Sequence, residues 1–203
     1  GRAALEMSGV DPASIDVLVL ATTTPDRTVP ATSANVQNAL GLRCGAFDVN
    51  AACSGFVYAL SVADQYIKTG MYKNVLVIGS EFHSGGLDMT TRGRNISVIF
   101  GDGAGAVVMT RTESNSIGIL NSQLHSEGKH AKELSLIGPS TGRWVPEIMK
   151  ENNPEDISYY PFMNGQFVFN AVTAHVVNYN GITAFTQIIK MVMAFYVCNK
   201  FNT

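Results

Sequence analysis

Cys53 is the residue whose type and setting best suit covalent chemistry. It stands in the segment Asp48–Phe56, Asp-Val-Asn-Ala-Ala-Cys-Ser-Gly-Phe, which follows a short apolar strand and opens a helix. A cysteine at a helix N-terminus lies at the positive end of the helix dipole beside unpaired backbone N–H groups, and both favour the nucleophilic thiolate. Its small neighbours let a substrate approach closely. The alternative is a buried, inert cysteine, and the residues alone leave both interpretations open.

The other side chains that could bind a metal or move a proton lie in polar segments. His83 stands among Gly and Ser residues, where we expect it to be solvated. For His125 and His130 a metal or base role competes with ordinary loop polarity, and His175 lies in an unremarkable Thr-Ala-His-Val-Val context. The run Gly101–Gly105 departs from Gly-x-Gly-x-x-Gly and precedes a strand, so we interpret it as a tight turn rather than a nucleotide-binding loop.

The elements that would position these residues alternate between strand and helix through Thr110. Continuous apolar runs predict buried strands at residues 16–21, 46–49, 74–80 and 104–110. Segments 3–8, 32–40 and 54–69 are typical of helices and are followed by glycines. This alternation predicts α/β architecture around a buried, largely parallel sheet. Residues 117–123 could begin a second, similar unit, and no carboxylate follows Asp156.

The amino-acid composition indicates what kind of protein this is and which partners it is not expected to have. Charged residues make up 15% of the 203 residues and hydrophobic residues 46%, which favours a large core, a modest surface and an oligomer. The formal net charge of −2 gives no indication of nucleic acid or an anionic membrane as a partner. Three unevenly spaced cysteines suit neither a disulfide framework nor a zinc site and favour a reducing cytoplasm. We see no signal peptide and no apolar run of the roughly 18 to 20 residues that cross a bilayer.

The segment Asn50–Leu60 resembles the nucleophile motif of the β-ketoacyl-acyl-carrier-protein synthase III family. Further blocks of that family's pattern occur in the same order and spacing, and the resemblance runs from about Ala3 to about Phe169. These blocks are Ala21–Asp26 with Val29-Pro30, Val77–Glu81, Thr91-Arg92-Gly93, Ile99–Ala106, Leu124–Gly128 and Phe162–Gly165.

The resemblance implies an α/β, thiolase-like fold with αβαβα layers, in subunits that pair as homodimers. Residues 1–115 would form most of the N-terminal half with the nucleophile, and residues 116–203 a partial C-terminal half with a divergent tail. The implied activity moves an acyl group from acyl-CoA onto the cysteine and condenses it with malonyl-acyl-carrier protein, which starts fatty acid synthesis. It implies no cofactor besides these substrates, no nucleic acid and no membrane.

The resemblance also assigns roles by position. Cys53 is expected to be the nucleophile, with its own backbone N–H in the oxyanion hole. Arg92 corresponds to the residue that stacks on the CoA adenine, although an ordinary surface arginine would look the same. Phe100 and Met163 correspond to acyl-pocket residues, with plain core packing as the alternative. Val29 stands where the family places a residue that reaches the partner subunit's acyl pocket.

The sequence departs from the family in its second half. The family's Pro-His-Gln-Ala-Asn motif and its later Gly-rich loop do not occur in these 203 residues, so no catalytic His or Asn is assigned. Two alternatives therefore stay open. One is a catalytically incomplete fragment or pseudo-enzyme that binds acyl-CoA without condensing. The other is a different thiolase-superfamily acyltransferase, such as a polyketide starter enzyme or a hydroxymethylglutaryl-CoA synthase.

Overall fold

The computed structural model describes residues 1–114, 117–136 and 162–178. These residues belong to two compact units: Gly1–Phe82 with Asp102–His125, and His83–Gly101 with Ser126–Thr203. Helices in the described residues are α1 (Arg2–Ser8), α2 (Thr32–Ala39), α3 (Gly55–Lys68), α4 (Arg94–Ser97) and α5 (Gly165–Asn178). The strands are β1 (Val17–Ala21), β2 (Gly45–Val49), β3 (Asn74–Glu81), β4 (Gly103–Thr110), β5 (Leu134–Ser135) and β6 (Phe162–Met163).

The first unit is built on a four-stranded sheet with the order β2-β1-β3-β4. The central strand β1 pairs in parallel with β2 and β3, and α2 and α3 form the crossovers that parallel pairing needs. β4 instead runs antiparallel to β3 along its whole length, at the edge of the sheet. The predicted α/β architecture is confirmed, and the sheet is parallel except at β4.

Side chains alternate between the two faces of this sheet, as the pleat of a strand requires. One face collects the larger aliphatic side chains and packs with residues of α1 and α2; the other packs on α3, whose Ala59 and Ala63 are fully buried. Because both faces are covered, β1 is buried at every position, which explains its unbroken apolar sequence. The first face contains Leu18, Leu20, Leu76 and Ile78, and the second Val17, Val19, Val75 and Val77.

The second unit contains α4, the short antiparallel pair β5–β6 and α5. Asn164 connects the last two elements, since its side-chain amide donates to Glu133 (2.9 Å) and its side-chain oxygen accepts from the N–H of Phe167 (3.3 Å). None of the helices in the described ranges is long and apolar enough to cross a membrane.

The segment 117–123 is the place where the sequence suggested the start of a further unit, and it forms neither helix nor strand. Its apolar side chains Ile117 and Leu120 are exposed, because no neighbouring strand in the described residues pairs with this segment. The proposed division of the chain into family halves at residues 115 and 116 stays a prediction.

Candidate active site

The carboxyl ends of β1, β2 and β3 meet at one edge of the sheet because these strands are parallel. Ala21 at the end of β1 lies opposite Val49 of β2 and Gly79 of β3, and the N–H of Thr22 donates to the carbonyl of Val49 (3.2 Å). Cys53 lies four residues beyond Val49, the last residue of β2, and so on this side of the sheet. Ligands of open α/β sheets bind outside the carboxyl ends of the strands, so Cys53 occupies the expected position for a reactive group.

A strained turn carries Cys53 from the strand to the helix. Ala52 has φ 46°, in the left-handed region that a residue with a Cβ rarely adopts, and Ala52–Ser54 form a single 3₁₀ turn. The Ser54 hydroxyl and N–H both bond the carbonyl of Ala51, at 2.8 and 3.1 Å. The helix itself begins at Gly55, so Cys53 lies ahead of its first turn. Residues in such strained backbone conformations cluster at active sites and ligand-binding sites.

Gly79 allows the start of α3 to pack closely on β3. A Cβ at this position would lie 3.1 Å from Cδ2 of Phe56, which is tighter than most Cβ contacts. Gly55, at the start of α3, is less constrained, since a Cβ there would lie 3.4 Å from the Cβ of Ala21 on β1, an ordinary contact distance.

The pKa of the Cys53 thiol is raised, which differs from the sequence expectation. The residue is exposed, yet surrounding protein removes enough water from the thiol to raise its pKa. The backbone N–H of Cys53 lowers the pKa and the charge of Glu81 raises it, both as smaller effects. Desolvation by the surrounding protein is the largest of these effects, and it is the reason that the pKa is raised rather than lowered.

Glu81 is a functional candidate that the sequence reasoning missed. Its carboxylate accepts hydrogen bonds from the N–H of Thr23 (2.8 Å), the hydroxyl of Thr23 (2.8 Å) and the hydroxyl of Thr24 (2.9 Å). The signal in the sequence was a carboxylate at the end of an otherwise apolar strand. The segment that Glu81 holds leads to Val29, whose side chain is 77% exposed in the loop after β1.

Arg92 lies in the second unit, in the 3₁₀ turn Thr91–Gly93, and it is held by Asp88. Its Nε donates to the Asp88 carboxylate at 2.6 Å, and the Asp88 side chain is only 6% exposed. Hydrogen bonds from the Thr90 side chain, then from Arg92, lower the pKa of Asp88 to about 2. A Cβ at Gly93 would collide with the carbonyl of Asp88, which explains the glycine of the Arg-Gly pair.

The remaining predicted site residues also lie in the second unit. Phe100 is half-buried and packs edge-on against His83, with ring centroids 5.2 Å apart. Met163 is half-buried on β6. The structure therefore brings Cys53 and Val29 into one unit and Arg92, Phe100 and Met163 into the other.

The histidines show no metal site in the described residues. No group of three or more metal-binding side chains occurs there. The ring centroids of His130 and Phe167 are 4.5 Å apart, and Nε2 of His130 lies 3.5 Å from Oε2 of Glu127. The backbone carbonyl of His125 accepts a hydrogen bond from the Tyr58 hydroxyl. The side chain of His175 lies outside the described residues. The predicted tight turn at Gly101–Gly105 is wrong, because strand β4 already begins at Gly103 and only Gly101 and Asp102 precede it.

Comparison with known proteins shows which family the chain is similar to. The family 3-oxoacyl-[acyl-carrier-protein] synthase III matches residues 47–128, which include Cys53, Arg92 and Phe100. The β-ketoacyl-[acyl-carrier-protein] synthase III of Agrobacterium fabrum is 51% identical over 156 residues, which cover 74% of this chain and 48% of the relative.

Two solved structures show the same likeness. The 3-oxoacyl-[acyl-carrier-protein] synthase III of Aquifex aeolicus VF5 aligns with a TM-score of 0.70 and 38% identity, over 84% of this chain and 48% of its own. The priming β-ketosynthase of the R1128 polyketide biosynthetic pathway aligns with a TM-score of 0.69 and 33% identity, over 87% of this chain and 50% of its own. The chain spans about half the length of the relatives it matches. With its thiolase-like α/β fold and its cysteine at the edge of the sheet, the chain belongs to the 3-oxoacyl-[acyl-carrier-protein] synthase III family.

Proposed function

We propose that this chain belongs to a 3-oxoacyl-[acyl-carrier-protein] synthase III that takes an acyl group from acyl-CoA onto Cys53. The acyl group is then condensed with malonyl-acyl-carrier protein to start fatty acid synthesis. The observation that carries the proposal is the position of Cys53, on a strained turn at the carboxyl edge of the sheet within the segment that matches the family.

The first half-reaction follows from ordinary thiol chemistry. The Cys53 sulfur, as thiolate, attacks the thioester carbonyl carbon and forms a carbon–sulfur bond. The tetrahedral oxyanion then expels CoA as its thiolate, which takes up one proton in place of the one that Cys53 lost. The backbone N–H of Cys53 lies beside the reacting sulfur and can donate to the developing oxyanion. This step uses acyl-CoA alone, and we expect it to need no cofactor.

Binding of the CoA nucleotide is assigned to Arg92, which would stack on the adenine. The Asp88 carboxylate supports this role because it fixes the Nε side of the guanidinium while the Arg92 side chain stays 43% exposed.

Phe100 and Met163 are proposed to line the acyl pocket. Val29, exposed in its loop, is proposed to reach the acyl pocket of a partner subunit in a homodimer. We place the enzyme in the cytoplasm, where a catalytic thiol stays reduced.

Condensation requires groups that these 203 residues do not supply in the family's form, since the Pro-His-Gln-Ala-Asn motif is absent from the sequence. We therefore expect the chain by itself to complete acyl transfer and to stop at the acyl-enzyme. A second candidate function is the loading of a polyketide starter group onto the same cysteine. The likeness to a priming β-ketosynthase of a polyketide pathway supports it.

Intact-protein mass spectrometry tests this function. The chain is incubated with acetyl-CoA, and Cys53→Ala serves as the control. We expect one acetyl group on the parent and none on the variant; an unlabelled parent would refute acyl transfer. Addition of malonyl-acyl-carrier protein then shows whether a β-ketoacyl product forms. Longer and branched acyl-CoA primers separate a polyketide starter enzyme from an acetyl-specific one, and acetoacetyl-CoA tests hydroxymethylglutaryl-CoA synthase chemistry.

A further inference from the structure

One carboxylate ties the segment after β1 to the end of β3. Glu81 accepts three hydrogen bonds from Thr23 and Thr24, residues that precede it by as many as 58 positions. A further hydrogen bond joins the same two segments, since the hydroxyl oxygen of Thr24 accepts from the N–H of Phe82 (2.8 Å). The N–H of Thr24 also donates to the hydroxyl of Thr22 (3.1 Å), so the whole Thr22–Thr24 segment has a defined conformation.

This network lies at the same edge of the sheet as the nucleophile. The N–H of Thr22, the first residue of the segment, donates to the carbonyl of Val49, the last residue of β2. The chain reaches Cys53 four residues later. The segment is thus fixed on one side to the strand that precedes the cysteine and on the other to Glu81. The charge of Glu81 also acts on the thiol and raises its pKa, which agrees with this placement.

The negative charge of Glu81 opposes acyl transfer at Cys53, so its presence calls for another role, and its hydrogen bonds supply one. A negative group near a thiol disfavours the thiolate and the oxyanion that acyl transfer requires. A carboxylate, however, can accept from several donors at once, and its bonds to N–H and O–H groups are stronger than those of a neutral acceptor. The geometry therefore indicates that fixing the Thr22–Thr24 segment matters more at this site than easy ionisation of Cys53.

We propose that Glu81 is a positioning residue for acyl transfer at Cys53: its carboxylate fixes the Thr22–Thr24 segment beside the nucleophile and so shapes the wall against which the acyl thioester lies. This inference rests on the proposed function of Cys53. Two opposite effects follow for Glu81→Gln. Loss of the charge makes the resting thiol more reactive toward small reagents. Loss of an acceptor, with an amide NH₂ now facing donors, loosens the segment and slows acyl transfer.

Other acidic groups at this edge have partners of their own. Asp48, at the end of β2, accepts from the N–H groups of Thr32 and Ser33 at 2.8 Å each. Asp26, in the loop after β1, accepts from the side chain of Asn35 (3.0 Å). The variant at Glu81 leaves both carboxylates and these bonds in place, so a change in the pH profile of the thiol reports on Glu81.

The test measures two rates on the 203-residue chain and its variants. Alkylation of Cys53 by iodoacetamide is followed from pH 6 upward by peptide-resolved mass spectrometry, because it depends on the thiolate and not on a bound substrate. Acetyl transfer from acetyl-CoA is followed by intact mass. Thr23→Val is the matched control, since it keeps the charge of Glu81 and removes one hydroxyl donor. Circular dichroism checks that each variant is folded.

We expect the alkylation profile of Glu81→Gln to move to lower pH while acetyl transfer falls by about tenfold or more, as misplacement of an active-site wall commonly costs. Thr23→Val should keep the parent's alkylation profile and lose a smaller part of acetyl transfer. A Glu81→Gln variant as fast as the parent in acetyl transfer overturns the inference.

If Glu81→Gln does not fold, the double variant Thr23→Val, Thr24→Val replaces it, and parent-like acetyl transfer there overturns the inference equally. A parent chain that is alkylated at Cys53 but takes no acyl group refutes the proposed function itself, and the inference falls with it.

Discussion

Asp48 offers the sharpest test of how a strand of the sheet caps helix α2. It stands on β2, five residues ahead of Cys53, and its two carboxylate oxygens accept the N–H groups of Thr32 and Ser33 at the start of α2. Residue Ala31 at the N-cap of that helix makes no side-chain cap of its own. Asp48 therefore supplies from a neighbouring strand the cap that α2 lacks.

The substitution Asp48→Ala removes both bonds. Each bond to a charged acceptor contributes about 1.5 kcal/mol or more to stability, and Ser33 is fully buried, so its N–H finds no water instead. Loss of a negative charge at a helix N-terminus adds a few tenths of a kcal/mol. We therefore expect the free energy of unfolding to fall by about 3 kcal/mol, which lowers the melting temperature by about 6 to 12 °C for a chain of this size.

Urea unfolding and hydrogen-exchange mass spectrometry of the peptide covering α2 measure the effect. Asp11→Ala is the matched control, because Asp11 caps the short turn Pro12–Ser14 through one bond to the N–H of Ala13 (2.9 Å) on the exposed surface. That control should lose only about 0.5 to 1 kcal/mol. Equal losses in the two variants, or unchanged exchange in α2, would show that Asp48 does not cap the helix.

Three further measurements test other parts of the structure. In the parent, alkylation of Cys53 should keep rising above pH 9 because the pKa of its thiol is raised from 9.0; a plateau below pH 8 would contradict this. The pKa of Asp88 is lowered from 3.8 to about 2, so its ionised form stabilises the fold above about pH 4 and that contribution is lost as the pH falls toward 2. Asp88→Asn should therefore be less stable than the parent at pH 5 and equal to it near pH 2 in urea unfolding, and a constant difference would be the wrong result. Gly79→Ala places a Cβ 3.1 Å from Phe56 and should cost about 1 to 3 kcal/mol in the same assay, whereas Gly103→Ala, with open space around it, should cost less than 1 kcal/mol.

The elements of the first unit could be predicted because their sequence signals are local. Apolar runs marked the strands, and Gly9 and Gly41, both with positive φ in the structure, marked helix ends. The antiparallel direction of β4 could not be predicted, because its apolar sequence is equally suited to either direction of pairing. The start of α3 was predicted one residue early, since the positive φ of Ala52 has no signature in the side chain of an alanine.

The candidate site was predictable only in part. The position of Cys53 between strand and helix followed from the local pattern and is confirmed. The direction of its pKa shift was wrong, because desolvation depends on residues packed around the thiol rather than on its neighbours in sequence. The Glu81 network joins segments 58 positions apart, and such pairings are set by the sheet register. The roles of Arg92, Phe100, Met163 and Val29 stay predictions.

The edge position of β4 has a consequence for handling the protein in solution. The eight residues Gly103–Thr110 include no charged side chain, and the outer backbone groups of the strand have no neighbouring strand in the described part of the sheet. An uncharged edge strand is a template on which a second chain can add a strand and begin to aggregate. Asp102 and Arg111 flank this strand, and their charges act as gatekeepers against such growth. Neutralising both should speed amyloid-like association of the chain.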